Sequence, residues 1–153
     1  MKDLIEHLIS KVQELDIFNH VNVWNNQLDE DEQAFALPAC FIEIENNLNP
    51  QQLTTGGQIF DIIVNFHVIN EYYQSNNIDI YNLKNNIYQK FQLYKPPFCA
   101  IMTRTEEIQV ENHDQIQEYQ IKFATNIVDL TFEKYFKLNT SIPSNLIING
   151  SFY

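Results

Sequence analysis

Between residues 59 and 69 the chain alternates without a break. Phe60, Ile62, Val64, Phe66 and Val68 fall on one side. Ile59, Asp61, Ile63, Asn65, His67 and Ile69 fall on the other. A period of two over this length is the pattern of a β-strand, whose successive side chains point to opposite faces. The first face is wholly apolar and has to be buried under another layer. The second is mixed, so it is covered only in part, by the chain itself or by a partner. Any fold open to this chain builds a sheet around this strand and lays something over its apolar face.

Two helices supply that layer. Leu4, Ile5, Leu8, Ile9, Val12 and Leu15 recur at spacings of three and four, with Asp3, Glu6, Lys11, Gln13 and Glu14 on the other side. This is one apolar stripe on a helix ending near Asp16, after which Ile17 and Phe18 enter the core. A second helix is predicted over residues 78–93, burying Ile80, Leu83, Ile87, Tyr88 and Phe91. Asp79 in its first turn, and Lys84 and Lys90 further along, suit the helix dipole. Pro96-Pro97 stops it.

Further strands are predicted at 21–25, 40–45, 99–110 and 118–132. In the second of these Cys40, Ile42 and Ile44 point one way, and Phe41, Glu43 and Glu45 the other. In the last, Tyr119, Ile121, Phe123 and Ile127 alternate before Val128, Leu130 and Phe132 take over, which predicts a bulge or bend near Ile127-Val128. Residues 46–57, with Pro50 and Gly56-Gly57, read as a polar loop too long for a tight hairpin and a candidate contact element. The order helix, strand, strand, strand, helix, strand, strand predicts an α+β fold. Its antiparallel or mixed sheet has about five strands, with both helices packed on one face.

A chain of 153 residues suits one domain. We place a single α/β assembly domain at 1–132 and a C-terminal extension at 133–153. The extension carries Leu146, Ile147, Ile148, Phe152 and Tyr153. That is too many apolar groups for a free tail, so it is expected to pack on a neighbouring subunit.

The net charge is −11, and Arg104 is the only arginine. Nucleic acid is held by basic side chains that displace counterions, so tight non-specific DNA or RNA binding is not expected. Four consecutive acids, Asp29 to Glu32, read as a solvated loop. No segment approaches the roughly 18 apolar residues of a membrane span, and residues 1–6 lack the pattern of a secretory leader. Assembly in a cytosol, with no membrane partner, is the expectation.

The search for chemistry turns up few candidates. His7, His20, His67 and His113 show no zinc-type spacing with one another or with a cysteine. Cys40 and Cys99 read as reduced, buried, small apolar side chains. The carboxylate pairs Glu43/Glu45 and Glu106/Glu107 alternate or adjoin along strands, as exposed faces produce anyway. His67 could share a face with Glu43 and Glu45. The plainer reading of that row is a solvent-facing strand. His113-Asp114 reads as a turn. Trp24 and Tyr72-Tyr73 read as core or interface anchors. There is no nucleophile elbow, phosphate loop or dinucleotide fingerprint. No catalytic residue, cofactor site or metal site is therefore assigned, and the chain is not expected to be an enzyme.

One resemblance runs along the chain. The N-terminal helix is followed by Val23-Trp24-Asn25-Asn26-Gln27-Leu28-Asp29 and then by Leu37-Pro38-Ala39-Cys40-Phe41-Ile42-Glu43-Ile44. The long strand and second helix come next. Met102-Thr103-Arg104-Thr105 then leads into a hairpin that closes with Tyr119-Gln120-Ile121-Lys122-Phe123-Ala124-Thr125. This layout resembles tail-terminator or tail-completion proteins of tailed phages and prophages of Bacteroidetes-type bacteria, similar to the tail terminator of phage lambda. It covers roughly residues 1–132. The resemblance implies a virion structural protein forming a homo-oligomeric ring, a hexamer in the terminator family, at the head-tail junction. Such a ring ends the tail tube or joins tail to head, contacts other tail, neck or portal proteins, and lets DNA pass through its lumen. The alternatives are a neck or connector ring on the portal, and a non-enzymatic binding module of a phage-tail-like system.

Overall fold

The structure, a computed structural model, describes residues 1–26, 28, 35–46, 50–53, 57–71, 78–97, 99–110 and 116–129. Its elements in chain order are α1 (Lys2–Gln13), β1 (His20–Val23), β2 (Ala39–Asn46), β3 (Gln51–Gln52), β4 (Gln58–Glu71), α2 (Ile78–Phe91), β5 (Thr103–Gln109) and β6 (Ile116–Asp129). They form one mixed six-stranded sheet in the order β1-β2-β4-β6-β5, with the two-residue β3 also paired to β4. Only β1 and β2 run parallel; the other described pairs are antiparallel. The α+β class expected from the sequence is the observed one.

The alternating strand is the spine. β4 pairs along its whole length with β6, from Gln58↔Asp129 to Glu71↔Ile116. On its other side it pairs with β2 over residues 62–69 and with β3 at residues 58 and 59. Ile62, Val64, Phe66 and Val68 are buried together with Cys40 and Ile42 of β2 and Tyr119, Ile121 and Phe123 of β6. Both helices lie on this face. α1 brings Leu4, Leu8 and Val12, and α2 brings Ile80, Leu83, Ile87 and Phe91. Phe66 stacks on Phe91 at 4.5 Å and meets Phe123 edge-on at 5.7 Å. Each such fully buried side chain contributes roughly 1.5–3 kcal/mol, so this layer dominates the stability. α1 ends where Asp16 takes up a left-handed conformation, φ 53, a common way for a helix to stop. At the surface, Glu14 ties the helices together through Lys11 (2.6 Å) and Lys90 (2.9 Å).

Three local expectations need correction. The register of β6 against β4 continues unbroken through Ile127 and Val128, so no bulge sits there. The irregularity lies in β5, where the register shifts between Arg104 and Glu106. Residues 99–102 belong to no extended strand: Cys99 makes an isolated bridge to Ile127, and Met102 pairs with the post-helix chain at Leu93 and Tyr94. Part of the presumed loop at 46–57 is β3, closed by a Leu53 amide donating to the Gly57 carbonyl at 2.8 Å. The acidic run at 29–32, Tyr72-Tyr73, His113-Asp114 and the extension at 133–153 lie outside the described residues. Among those described, no helix is long and apolar enough to cross a membrane.

Candidate functional site

The sheet face away from the helices is built from Ala39, Phe41, Glu43 and Glu45 of β2, from Ile59 through Ile69 at alternate positions of β4, and from Ile116 through Val128 at alternate positions of β6. Near its centre the cross-strand rows read Phe41–His67–Gln120 and Glu43–Asn65–Lys122. Diagonal neighbours across a sheet lie within reach of long side chains. His67 uses one diagonal on each side. Its Nδ1 lies 2.7 Å from Glu118 Oε1 on β6, and its Nε2 lies 3.1 Å from Glu43 Oε2 on β2.

His67 is buried, at 2% exposure. The expected solvent-facing row is therefore wrong at this position. The reason is Trp24, which leaves the end of β1 and lays its indole flat on the imidazole, 4.0 Å between centroids and 8° between planes. Trp24 is held by its amide, which donates to the Ile42 carbonyl at 2.9 Å, and by an edge-on contact with Phe41 at 5.8 Å. Around it Leu28, Phe35, Leu37 and Ile116 pack on the buried trio Ala39, Phe41 and Ile69. The connection between the parallel strands β1 and β2 thus roofs one end of the second face.

The two carboxylates differ in setting. The Glu118 side chain is 4% exposed and that of Glu43 is 38% exposed. Glu118 also accepts a bond from Gln120 Nε2 at 3.0 Å. A neutral imidazole carries one N–H, so both contacts are donated bonds only when both ring nitrogens are protonated. Asn65 is also buried; its amide nitrogen lies 3.5 Å from Glu43 and 3.4 Å from Gln120, while its Oδ1 is buried without a hydrogen-bond partner. With both nitrogens engaged and one ring face covered, His67 is built to pin the roof to the sheet.

The remaining candidates are dispersed. Glu45 pairs with Lys122 at 3.1 Å. Glu106 and Glu107 point to opposite faces, the first towards Lys122 at 3.8 Å and the second towards Lys84 and Arg104. His7 Nε2 lies 2.7 Å from the Tyr94 hydroxyl, and His20 packs against Phe41 at 5.4 Å. Cys40 and Cys99 are free and buried as expected, and burial pushes both thiols up. Among the described residues no group of three or more His, Cys, Asp or Glu could hold a metal ion. Glu118 was not singled out from the sequence. The alternation of Tyr119, Ile121 and Phe123 puts it on the mixed face, but nothing in the sequence sets it diagonal to His67.

The roof covers only one end. At the other, a shallow depression of about 340 Å³ is lined in part by Asp61, Ile63, Ile101, Thr103, Ala124 and Asn126. Ile101 is 52% exposed and nearby Val128 is 40% exposed. No protein-family model matches the chain, and no curated protein matches it in sequence.

Proposed function

We propose that this chain is a structural subunit of a tailed-phage virion, forming a homo-oligomeric ring at the head-tail junction that ends the tail tube or joins tail to head. The reading starts from the resemblance of the sequence to tail-terminator proteins. One structural observation carries it furthest: the sheet face opposite the helices is roofed at one end and left partly apolar and exposed at the other. A closed ring needs two different, complementary surfaces on each subunit. The half-open face is one candidate surface. The edge strands are also unlike, β1 being short and parallel to its neighbour, β5 antiparallel and carrying Arg104, Glu106 and Glu107. The net charge of −11 suits a lumen through which DNA passes without sticking.

The test is the solution mass of the purified protein by light scattering across a concentration series, alone and with tail tubes of the phage that encodes it. A discrete closed oligomer is expected, and its copy number separates a terminator-like ring from a connector on the portal. A chain that stays at 18.1 kDa under every condition and leaves tail tubes unbound overturns the proposal.

A further inference from the structure

We infer that the open end of the second sheet face is the docking site for the C-terminal segment, residues 133–153, of a second copy of this chain. The inference rests on the ring reading above and names the contact that would hold the ring together.

Three observations lead to it. The first is the surface. The cross-strand pairs Ile59–Val128 and Ile63–Ala124 share this end of the face, with the hydrogen-bonded Asp61–Asn126 pair between them and Ile101 alongside. Ile101 and Val128 are two of the exposed large apolar residues among the described residues. Clustered apolar exposure of this kind marks an interaction surface more often than isolated residues do. The second is the segment. It carries the apolar run Leu146-Ile147-Ile148, then Phe152 and Tyr153, and such a run needs a surface to cover. Its side-chain charges are Lys134 and Lys137 against Glu133, one net positive charge near its start, in a chain of net charge −11. On the rim of the open end Asp61 is exposed and accepts a hydrogen bond from Asn126 at 3.0 Å, while Glu45 is already paired with Lys122 at 3.1 Å, so Asp61 is the acid left to meet a lysine there.

The third is reach. β6 ends at Asp129, opposite Gln58, at this same end of the sheet. From there to Ile147 an extended chain spans up to about 60 Å, against a radius of gyration of about 15 Å for a domain of this size. The segment therefore has ample length to cross to a neighbour. Each subunit gives one segment and receives another, so the contact either closes reciprocally between two copies or, passed on from copy to copy as the ring reading requires, runs head-to-tail around a ring.

The experiment uses full-length chains, each carrying one added cysteine, on the exposed end of the face or in the C-terminal segment. Val128→Cys and Ile147→Cys proteins are mixed in equal amounts, oxidised and run on non-reducing gels. The native Cys40 and Cys99 are buried, and unsubstituted protein treated alike is the control. The expected result is a species at twice the subunit mass, formed in the mixture well above either variant alone. A chain carrying both substitutions that cross-links only within itself, with no product in the mixture, overturns the inference, because the segment then serves its own subunit. Absence of any cross-link overturns it as well.

Light scattering on the unsubstituted chain separates this failure from failure of the ring reading. A ring without the cross-link removes the docking inference alone. A cross-linked pair without a closed ring removes the ring and keeps the docking. Ile101→Asp gives an independent readout. It is expected to weaken self-association by at least about tenfold, in line with loss of one central apolar contact. Unchanged association counts against the inference.

Discussion

Replacing Glu118 with Leu tests how the second sheet face is held together, because a closely similar contact is present twice around one histidine. His67 meets a carboxylate at each nitrogen, Glu118 at 2.7 Å and Glu43 at 3.1 Å. Removing one partner of a buried hydrogen bond leaves the other unsatisfied at a cost of about 1–3 kcal/mol. With the Glu118 side chain 4% exposed and only 2.7 Å from His67, the expected loss for Glu118→Leu is about 2–3 kcal/mol. Glu43 is 38% exposed, and water screens its contribution, so Glu43→Leu should cost under about 1 kcal/mol. Adding His67→Phe to Glu118→Leu removes the orphaned imidazole and keeps an aromatic ring under Trp24. That double variant should return to within about 1 kcal/mol of the parent. The assay is urea unfolding followed by the fluorescence of Trp24, the only tryptophan, which lies directly on the site. Equal costs for Glu43→Leu and Glu118→Leu, or a double variant weaker than Glu118→Leu, would refute the assignment of Glu118 as the dominant partner.

Two further predictions test the helical layer. Leu93 sits at φ 62 and is 68% exposed. A left-handed conformation costs a non-glycine residue about 1–2 kcal/mol, and glycine gives back part of that through its freer unfolded chain. Leu93→Gly should therefore stabilise the protein by about 0.5–1 kcal/mol in urea unfolding, and a loss of stability would contradict the backbone reading. Glu14, hydrogen-bonded by Lys11 and Lys90, has its carboxyl lowered from 4.5 to about 2. A carboxyl depressed in the folded state stabilises the fold above its unfolded value and ceases to do so as pH falls through the folded one. The stability gap between parent and Glu14→Gln should accordingly be open above pH 4.5 and close towards pH 2, and a gap that stays constant across that window would show that the pairs contribute nothing.

Much of the layout was readable from residue pattern alone. The apolar spacing of Leu4, Leu8 and Val12, and of Ile80, Leu83, Ile87 and Phe91, identifies the helices and the sides they bury. The strict alternation through Phe60 and Val68 identifies the spine. Side-chain parity also separates the faces correctly, with Cys40 and Ile42 on one and Phe41 and Glu43 on the other. Parity says nothing about register, however. A slide of β6 by two residues against β4 preserves every face assignment and moves Glu118 away from His67. The partner of the histidine was for that reason hidden. The burial of His67 was hidden for another reason: it depends on Trp24, more than forty positions earlier, reaching the sheet through a connection whose path is set by tertiary packing. The bulge was misplaced because exposed Val128, beside half-buried Ile127, mimics a change of face.

The long pairing of β4 with β6 has a consequence for how the chain is made. β2 and β4 are separated in sequence only by the short β3 and can pair as soon as both have left the ribosome. The other edge of β4 then waits for β6, whose last residue lies 58 positions after Glu71. At synthesis rates of about 5–20 residues per second that interval is roughly 3–12 seconds. Throughout it, a strand with one wholly apolar face presents an open row of amides and carbonyls, the form of edge most prone to pair with a stranger. Every nascent molecule of the chain meets that hazard. The placement of Asp61, Asn65 and His67 among the isoleucines of the second face interrupts what would otherwise be a sticky ribbon on both sides.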